Sequence, residues 1–185
     1  GITIKSHPIQ MDYIHHDKNK YILNLIDTPG HVDFTYEVSR SMAACEGALL
    51  IVDASQGVEA QTVSNLYLAL EADLTIIPIL NKIDMPNSDV EAVSEQIIEL
   101  IGCDKSEILT VSAKEGTGVD SVFDSIVNVI PPPTKKHENG HSRALIFDSF
   151  YDQFRGVVAY IRVFGGSFTK NDIIELISNK VNFEI

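Results

Sequence analysis

The chain has 185 residues, of which 44% are apolar and 22% charged, and its formal net charge is −12. This composition is typical of a folded protein rather than a disordered one, and the length suffices for one domain and part of a second. The acidic balance argues against a basic surface that grips bare nucleic acid, so we predict no DNA partner. The chain opens at Gly1 without an initiator methionine, and we expect it to be a piece of a longer protein.

Strand and helix patterns alternate over the first 130 residues. Strands are predicted at 6–14, 21–26, 48–52, 75–80 and 107–111, and helices at 34–44, 62–72, 88–101 and 119–130. Ser88 or Asp89 is predicted to cap the third helix, and Gly102 to stop it. Strands separated by helices of this length imply βαβ units and a mostly parallel sheet with flanking helices. We therefore predict an α/β fold for this part of the chain.

The pattern changes after three consecutive prolines at 131–133. A polar stretch follows, and then alternating strands are predicted at 144–150 and 157–164, with Phe168 and Ile173-Ile174 continuing the β pattern. This predicts a first domain over 1–130, a linker over 131–142, and the start of an antiparallel β-barrel over 143–185. About forty residues are too few for a complete barrel, so we expect this domain to be truncated.

The tetrapeptide 81–84 follows an apolar run that is predicted to be a buried strand. The carboxylate of Asp84 is suited to accept two hydrogen bonds from guanine N1–H and N2–H₂, a donor pair that adenine lacks. Asn81 is suited to tie neighbouring loops together, and the stem of Lys82 to lie over the base plane. The alternative is a polar turn before a helix, with Pro86 as the breaker.

A second motif, Ser112-Ala113-Lys114, follows the next predicted strand. There the backbone N–H of Ala113 can reach the guanine oxygen, and Lys114 can pack over the other face of the base. Either motif alone could arise by chance, but their order, each after a strand, predicts a guanine-nucleotide site.

A third motif, Asp27-Thr28-Pro29-Gly30-His31, closes the strand predicted at 21–26. Asp27 can bind Mg²⁺, usually through water, and Gly30 can bring a bare backbone N–H to the γ-phosphate. His31 then lies where a nucleophilic water would wait. Alone, this motif is equally well explained as a turn that enters a helix. Thr3 is a further Mg²⁺ candidate through its hydroxyl, although β propensity explains that segment equally well.

Two other polar features are assigned structural roles. Asp53 ends a predicted buried strand and is interpreted as a loop carboxylate rather than a catalyst. The pair His15-His16 could suggest a metal, but an exposed hairpin tip is the preferred interpretation. The phosphate-binding pattern GxxxxGK[ST] occurs nowhere in the chain. We therefore expect a GTPase domain without its first strand and phosphate loop, and expect the chain alone to be inactive.

These motifs resemble those of the translational GTPases, which combine Gly-Ile-Thr-Ile with Asp-Thr-Pro-Gly-His. The segments at 31–41, 43–50, 52–62, 130–133 and 144–149 narrow the resemblance to the elongation factor 4 (LepA) family. Asn171 departs from the glycine that many such barrels have, but asparagine also tolerates a left-handed backbone.

The resemblance implies a ribosome-associated GTPase that hydrolyses GTP to GDP and phosphate during elongation. Thr3 and Asp27 would bind Mg²⁺, Gly30 would sense the γ-phosphate, and His31 would orient the attacking water beside an apolar gate that includes Ile2. The residues that would read guanine are Asn81, Lys82, Asp84, Ser112, Ala113 and Lys114.

The partners implied by the resemblance are GTP, GDP, ribosomal RNA and ribosomal proteins. The implied location is the cytoplasm, with peripheral association at the inner membrane. The alternatives are another translation factor, such as elongation factor G, and a non-catalytic remnant that scaffolds or binds guanine weakly.

The resemblance also predicts the geometry of the sheet. In GTPase sheets the first strand lies between the two strands predicted here at 21–26 and 48–52. These two strands should therefore not pair directly, and either a slot about one strand wide, about 9 to 10 Å, or a partner that fills it should separate them.

Overall fold

The computed structural model describes residues 7–28, 35–133 and 141–185. The chain divides into two units, Gly1–Pro132 and Pro133–Ile185. The predicted fold class is confirmed, because a parallel sheet with flanking helices is followed by antiparallel strands. Within these three ranges, no helix is both long and apolar enough to cross a membrane.

The first two strands form an antiparallel hairpin, β1 (His7–Ile14) and β2 (Lys20–Asp27). The carboxylate of Asp17 closes the turn between them. It accepts hydrogen bonds from the backbone N–H of Asn19 at 2.8 Å and from the hydroxyl of Tyr21 at 2.8 Å. Both bonds favour the ionised carboxylate and lower the pKa of Asp17 to about 2.

In the part of the first unit that the structure describes, three parallel strands form a sheet in the order β3-β4-β5. They are β3 (Gly47–Asp53), β4 (Thr75–Asn81) and β5 (Leu109–Thr110). The helices are α1 (Thr35–Met42), α2 (Ala60–Glu71), α3 (Val90–Ile101) and α4 (Val119–Val129), with a 3-10 turn at Lys105–Glu107. In this register Asp53 lies opposite Asn81, so the carboxyl ends of the strands meet at one edge.

β5 is shorter than the strand predicted at 107–111. The 3-10 turn occupies the first of these positions. The carbonyl of Leu80 accepts the N–H of Val111 at 2.8 Å, so Pro78, two residues earlier, also faces β5. Proline has no N–H to donate, so the pairing of β4 with β5 begins only at Ile79.

The helix boundaries follow local signals in the sequence. The Asp89 carboxylate accepts the N–H of Ala92 at 3.0 Å and caps α3, which ends at Gly102 with a φ of 70°. Gly118 precedes α4 with a φ of 74°, and a Cβ at this position would lie 2.5 Å from the carbonyl oxygen of Thr110. The predicted cap and stop of α3 are therefore confirmed.

The core of the first unit has one cluster on each face of the parallel sheet. On the first face Leu80 packs with Val93 and Ile97 of α3, and all three are buried. On the second face Ile77 and Ile79 pack against apolar side chains of α4. Alternate residues of β4 thus serve opposite faces, as expected for a strand covered on both sides.

The tip of the β1–β2 hairpin contacts helix α4. The hydroxyl of Tyr13 donates to Asp124 Oδ1 at 2.7 Å, and the Tyr13 ring stacks on Phe123 with centroids 5.2 Å apart. His16 Nε2 lies 2.9 Å from Asp124 Oδ2. The exposed tip predicted from His15-His16 is half right, since the side chain of His16 is 79% exposed but that of His15 only 13%.

The hairpin and the parallel sheet are separate sheets, and within the described ranges β2 and β3 share no ladder. This confirms that the strands predicted at 21–26 and 48–52 do not pair directly. Both strands also carry exposed large apolar side chains, since Ile22 in β2 and Ile51 in β3 are each 58% exposed. The width of the slot between the two strands stays a prediction.

The described residues of the second unit form two antiparallel hairpins. They are β6 (Arg143–Asp152) with β7 (Gly156–Gly165), and β8 (Ile173–Leu176) with β9 (Val181–Glu184). Asn171 has a φ of 73°, which confirms that it adopts a left-handed backbone.

The β pattern predicted at Phe168 is wrong, since this residue lies between β7 and β8 and outside both. Next to Phe168, the backbone of Ser167 is bound by the side chain of Ser142. Its hydroxyl donates to the Ser167 carbonyl at 2.7 Å and accepts the Ser167 N–H at 3.1 Å.

Candidate guanine-nucleotide site

The six residues predicted to read guanine lie in two loops at the carboxyl edge of the parallel sheet. Asn81 ends β4, and Lys82 and Asp84 follow it; Ser112, Ala113 and Lys114 follow β5. The second loop is closed by a hydrogen bond of 2.9 Å from the Ser112 N–H to the Thr117 carbonyl. Ligands of open α/β sheets bind at this carboxyl edge.

Asp84 is the centre of this site. Its Oδ1 accepts the hydroxyl of Ser112 at 2.7 Å, and Lys114 Nζ lies 3.8 Å from its Oδ2. The hydrogen bond from Ser112, followed by the nearby lysine charges, outweighs desolvation and lowers the pKa of Asp84. The carboxylate is therefore ionised at neutral pH and retains lone pairs for two further donors.

Ser112 is almost fully buried, at 1% exposure, and fixes Asp84 to its own loop. While its hydroxyl donates to Asp84, its oxygen accepts the N–H of Glu115 at 3.2 Å. The serine thus sets the rotamer of the carboxylate and the conformation of the loop at the same time.

Asn81 joins the two loops. Its Oδ1 accepts the N–H of Lys82 at 2.7 Å and the N–H of Ala113 at 3.1 Å. The sequence interpretation gave the Ala113 N–H to the guanine oxygen, but here this amide already has a partner. An incoming guanine oxygen must therefore share the amide with Asn81 or displace it.

The ammonium of Lys82 contacts Asp53 at the end of β3. Its Nζ lies 2.5 Å from Asp53 Oδ2, and Lys82 has a left-handed backbone with a φ of 64°. Asp53 Oδ1 accepts the N–H and the hydroxyl of Ser55 at 2.8 and 2.7 Å. Burial disfavours the Asp53 carboxylate, but the hydrogen bonds from Lys82 and Ser55 outweigh it and lower its pKa. Asp53 in turn raises the pKa of Lys82.

The residues predicted for the phosphate side are only partly described. Asp27 ends β2 opposite His7 in the hairpin and is exposed. An aspartate oxygen at this position suits Mg²⁺, which prefers hard oxygen ligands. Thr3, Gly30 and His31 lie outside the described residues. Within the described ranges no cluster of three His, Cys, Asp or Glu side chains could hold a metal on its own.

The sequence interpretation missed the connection between Asp53 and Lys82. Asp53 was interpreted only as a structural loop carboxylate at the end of a buried strand. The signal that could have found it is positional, since a carboxylate that ends one parallel strand lies beside the residue that ends the next. The lysine one residue beyond that position is then its natural counter-ion.

The fold and the loops correspond to a known class of domain. Residues 1–132 match the family described as the Elongation factor Tu GTP binding domain, and the chain belongs to this family. The solved structure described as "Crystal structure of bacterial selenocysteine-specific elongation factor EF-Sec" is similar, with a TM-score of 0.77 and 25% identity. The similarity covers 99% of this chain and 32% of that one.

Curated relatives narrow the class to one kind of factor. The chain is 60% identical over 183 residues to Elongation factor 4 of Chlorobium phaeobacteroides (strain BS1), and 58% identical over 184 residues to Elongation factor 4 of Porphyromonas gingivalis (strain W83). These matches cover 99% and 100% of the chain but only 30% and 31% of the relatives. The resemblance predicted from the motifs is confirmed, and the chain spans under a third of those relatives' length.

Proposed function

We propose that this chain is part of a ribosome-associated translational GTPase that binds GTP and hydrolyses it to GDP and phosphate during elongation. Membership of the GTP-binding domain family and the similarity to Elongation factor 4 support this proposal. The part of the activity that the described residues carry is recognition of the guanine base.

The observation that carries the proposal is the environment of Asp84. Its side chain is only 8% exposed, its pKa is lowered, and one oxygen is already fixed by Ser112. A buried carboxylate held in one orientation rejects a ligand that leaves it without donors, because the unpaired acceptor is costly. Guanine offers two adjacent donors and adenine does not, so the site selects guanine.

On the phosphate side, the proposed roles rest on the family resemblance. Mg²⁺, when bound, neutralises charge on the phosphate oxygens. Asp27 and Thr3 would hold it through carboxylate and hydroxyl oxygens. Gly30 would donate its backbone N–H to the γ-phosphate, and His31 would orient the attacking water.

The proposed partners follow from the same similarity. They are GTP and GDP at the site, and ribosomal RNA and ribosomal proteins for the whole protein, in the cytoplasm. Peripheral membrane association stays a prediction, because the relatives reported above are not named for a membrane and no residue of the chain points to one.

Competition binding tests the proposal. The GxxxxGK[ST] pattern does not occur in the chain, so the test uses the chain joined at its amino end to the phosphate-loop segment of an Elongation factor 4 relative, called here the joined protein. Unlabelled GDP should displace a fluorescent GDP, and ADP should do so at least about a thousandfold less well. Equal displacement by ADP and GDP would contradict the proposal.

A further inference from the structure

A charged pair joins Lys82 of the first guanine motif to Asp53, which belongs to neither guanine motif. Asp53 Oδ2 and Lys82 Nζ are 2.5 Å apart, and the two residues come from neighbouring strands. The Asp53 side chain is 14% exposed and the Lys82 side chain is 54% exposed. The Asp53 carboxylate is thus shielded and faces Lys82. The other side of the Lys82 side chain is open to solvent, at the place where the base would lie.

The backbone brings this pair together. Parallel pairing sets Asp53 opposite Asn81, so the next residue, Lys82, leaves the sheet beside the Asp53 carboxylate. Lys82 does so with a φ of 64°, a conformation that residues other than glycine adopt at a cost. Such strained residues persist where the surroundings over-determine them, and they cluster at functional sites. Here the Asn81 side chain holds the Lys82 amide and Asp53 holds its ammonium.

Asp53 is the fixed member of the pair. One of its oxygens accepts both the N–H and the hydroxyl of Ser55, which locks the carboxylate rotamer and turns the other oxygen to Lys82. A lysine side chain has many rotamers, and ordering it only when a ligand arrives weakens binding. A lysine that is already held in place avoids most of this cost.

We propose that Asp53 is a positioning residue for guanine-nucleotide binding, which holds the Lys82 side chain in place along one face of the base site without touching the nucleotide itself. This inference rests on the proposed function and adds to the site a residue outside both guanine motifs. Asp53 acts on affinity only through Lys82.

A double-mutant cycle in the joined protein tests this role. Asp53→Asn should raise the dissociation constant of GDP about 3- to 10-fold, the usual effect of releasing one ordered side chain. In a Lys82→Met background the same substitution should change affinity less than about twofold. Asp73→Asn makes the same chemical change at an exposed turn and should leave GDP binding unchanged.

A second measurement needs no nucleotide and uses the chain as it stands. Lysine amines carrying ¹³C-methyl groups are titrated by NMR, and the Lys82 signal is assigned by its loss in Lys82→Met. Asp53→Asn should lower the pKa of the Lys82 amine, because it removes the carboxylate that raises it. Ser55→Ala removes the hydroxyl that holds the Asp53 rotamer. It should weaken GDP binding and lower the pKa of the Lys82 amine, each by less than Asp53→Asn does. It replaces Asp53→Asn should that variant fail to fold.

The outcomes separate the two ideas. If the unmodified joined protein shows no preference for GDP over ADP, the proposed function fails. If it binds GDP selectively but Asp53→Asn binds equally well, only the positioning role fails. An equal loss in the wild-type and Lys82→Met backgrounds would show that Asp53 supports the loop and not the lysine. An unchanged Lys82 titration would show that the pair does not form in solution.

Discussion

At the level of single residues, the selectivity proposed for Asp84 can be inverted. Asp84→Asn replaces two acceptors by one donor and one acceptor, so the amide no longer matches the N1–H and N2–H₂ of guanine. Xanthine carries an oxygen at position 2 and matches the amide better. In the joined protein we expect GTP to bind at least about tenfold more weakly and xanthosine triphosphate to bind more tightly.

Competition between the two nucleotides for one fluorescent analogue measures this exchange. Asp73→Asn is again the matched control, because Asp73 is exposed in the turn before β4. An unchanged preference for GTP in Asp84→Asn would remove this carboxylate from the base site.

Ser112 should set the lower pH limit of guanine binding. The pKa of Asp84 is lowered first of all by the Ser112 hydrogen bond, so in the wild type the carboxylate stays ionised until the pH falls below the usual aspartate range. Ser112→Ala removes that bond and lets the Asp84 pKa rise. Affinity for GDP should then begin to fall at a higher pH in the variant, as pH-dependent titrations would show. Coincident profiles would contradict this role.

Some contacts of single residues could be predicted from the sequence, and others could not. Asp84 and Ser112 were found from motifs because each follows a strand pattern, and the chemistry of a carboxylate and a hydroxyl is local. The occupied amide of Ala113 and the contact between Asp53 and Lys82 depend on side-chain rotamers across two or three loops. No periodicity in the chain encodes these contacts.

At the level of elements, the hairpin should depend on its contact with α4. Tyr13→Phe removes the hydroxyl that donates to Asp124, while the ring can still stack on Phe123. Hydrogen exchange of the β1–β2 amides should accelerate about 2- to 10-fold, the usual effect of one hydrogen bond. Tyr67→Phe, at an exposed tyrosine of α2, should leave these amides unchanged.

The same contact predicts a pH dependence. The hydrogen bond from Tyr13, followed by the contact with His16, lowers the pKa of Asp124 in the folded chain. The anchor therefore contributes fully above the usual aspartate pKa and is lost as the pH falls through the lowered folded value. Protection of the hairpin should fall in acid more steeply in the wild type than in Asp124→Asn. Asp73→Asn, at the exposed turn before β4, is the control.

Two glycines around the Ser112 loop offer a matched pair for backbone effects. Gly116 and Gly118 both have positive φ, but only a Cβ at Gly118 would meet the carbonyl oxygen of Thr110, at 2.5 Å. Gly116→Ala should cost about 1 kcal/mol of unfolding free energy from conformation alone. Gly118→Ala should cost about 2 to 4 kcal/mol, because the clash adds to the strain.

Urea unfolding of the two variants and the wild type measures the difference. Equal costs would mean that α4 shifts to relieve the contact with Thr110. The comparison also tests how firmly the start of α4 is held against β5.

Elements with local signals were predicted well. The cap at Asp89 and the stop at Gly102 bound α3 as expected, since capping and left-handed glycine act within a few residues. The strand at 107–111 was predicted too long because its length depends on Pro78 in a neighbouring strand. The hairpin anchor was missed, because Tyr13 and Asp124 are 111 residues apart.

At the level of the whole molecule, the chain should hold the base better than the phosphates. Its guanine loops are formed, but the backbone cradle and lysine of the GxxxxGK[ST] pattern do not occur in its sequence. Residues 1–185 alone should show no measurable Mg²⁺-dependent GTP hydrolysis, whereas the joined protein should hydrolyse GTP when ribosomes are present. Single-turnover assays with labelled GTP measure both, and cleavage by the chain alone would contradict this expectation.

The fold class was predictable because it depends on the alternation of strand and helix patterns and on the change of pattern after the three prolines. An error of a few residues in the bounds of one element alters neither feature. The separation of the hairpin from the parallel sheet was predicted from family resemblance rather than from composition or periodicity. Residue patterns alone indicate which segments form strands, but they do not indicate which of those strands pair with each other.

The contact between the hairpin and α4 also bears on the order in which the protein forms during synthesis. The chain is made from its amino end, and an isolated two-stranded hairpin is only marginally stable in water. Asp124 is synthesised 111 residues after Tyr13, so Asp27 lies on an unanchored hairpin while that stretch of the chain is made. Ser112 emerges only shortly before Asp124. The Ser112 loop and the hairpin anchor are therefore completed at about the same time, and a nascent form of the joined protein that ends before α4 should retain no guanine nucleotide.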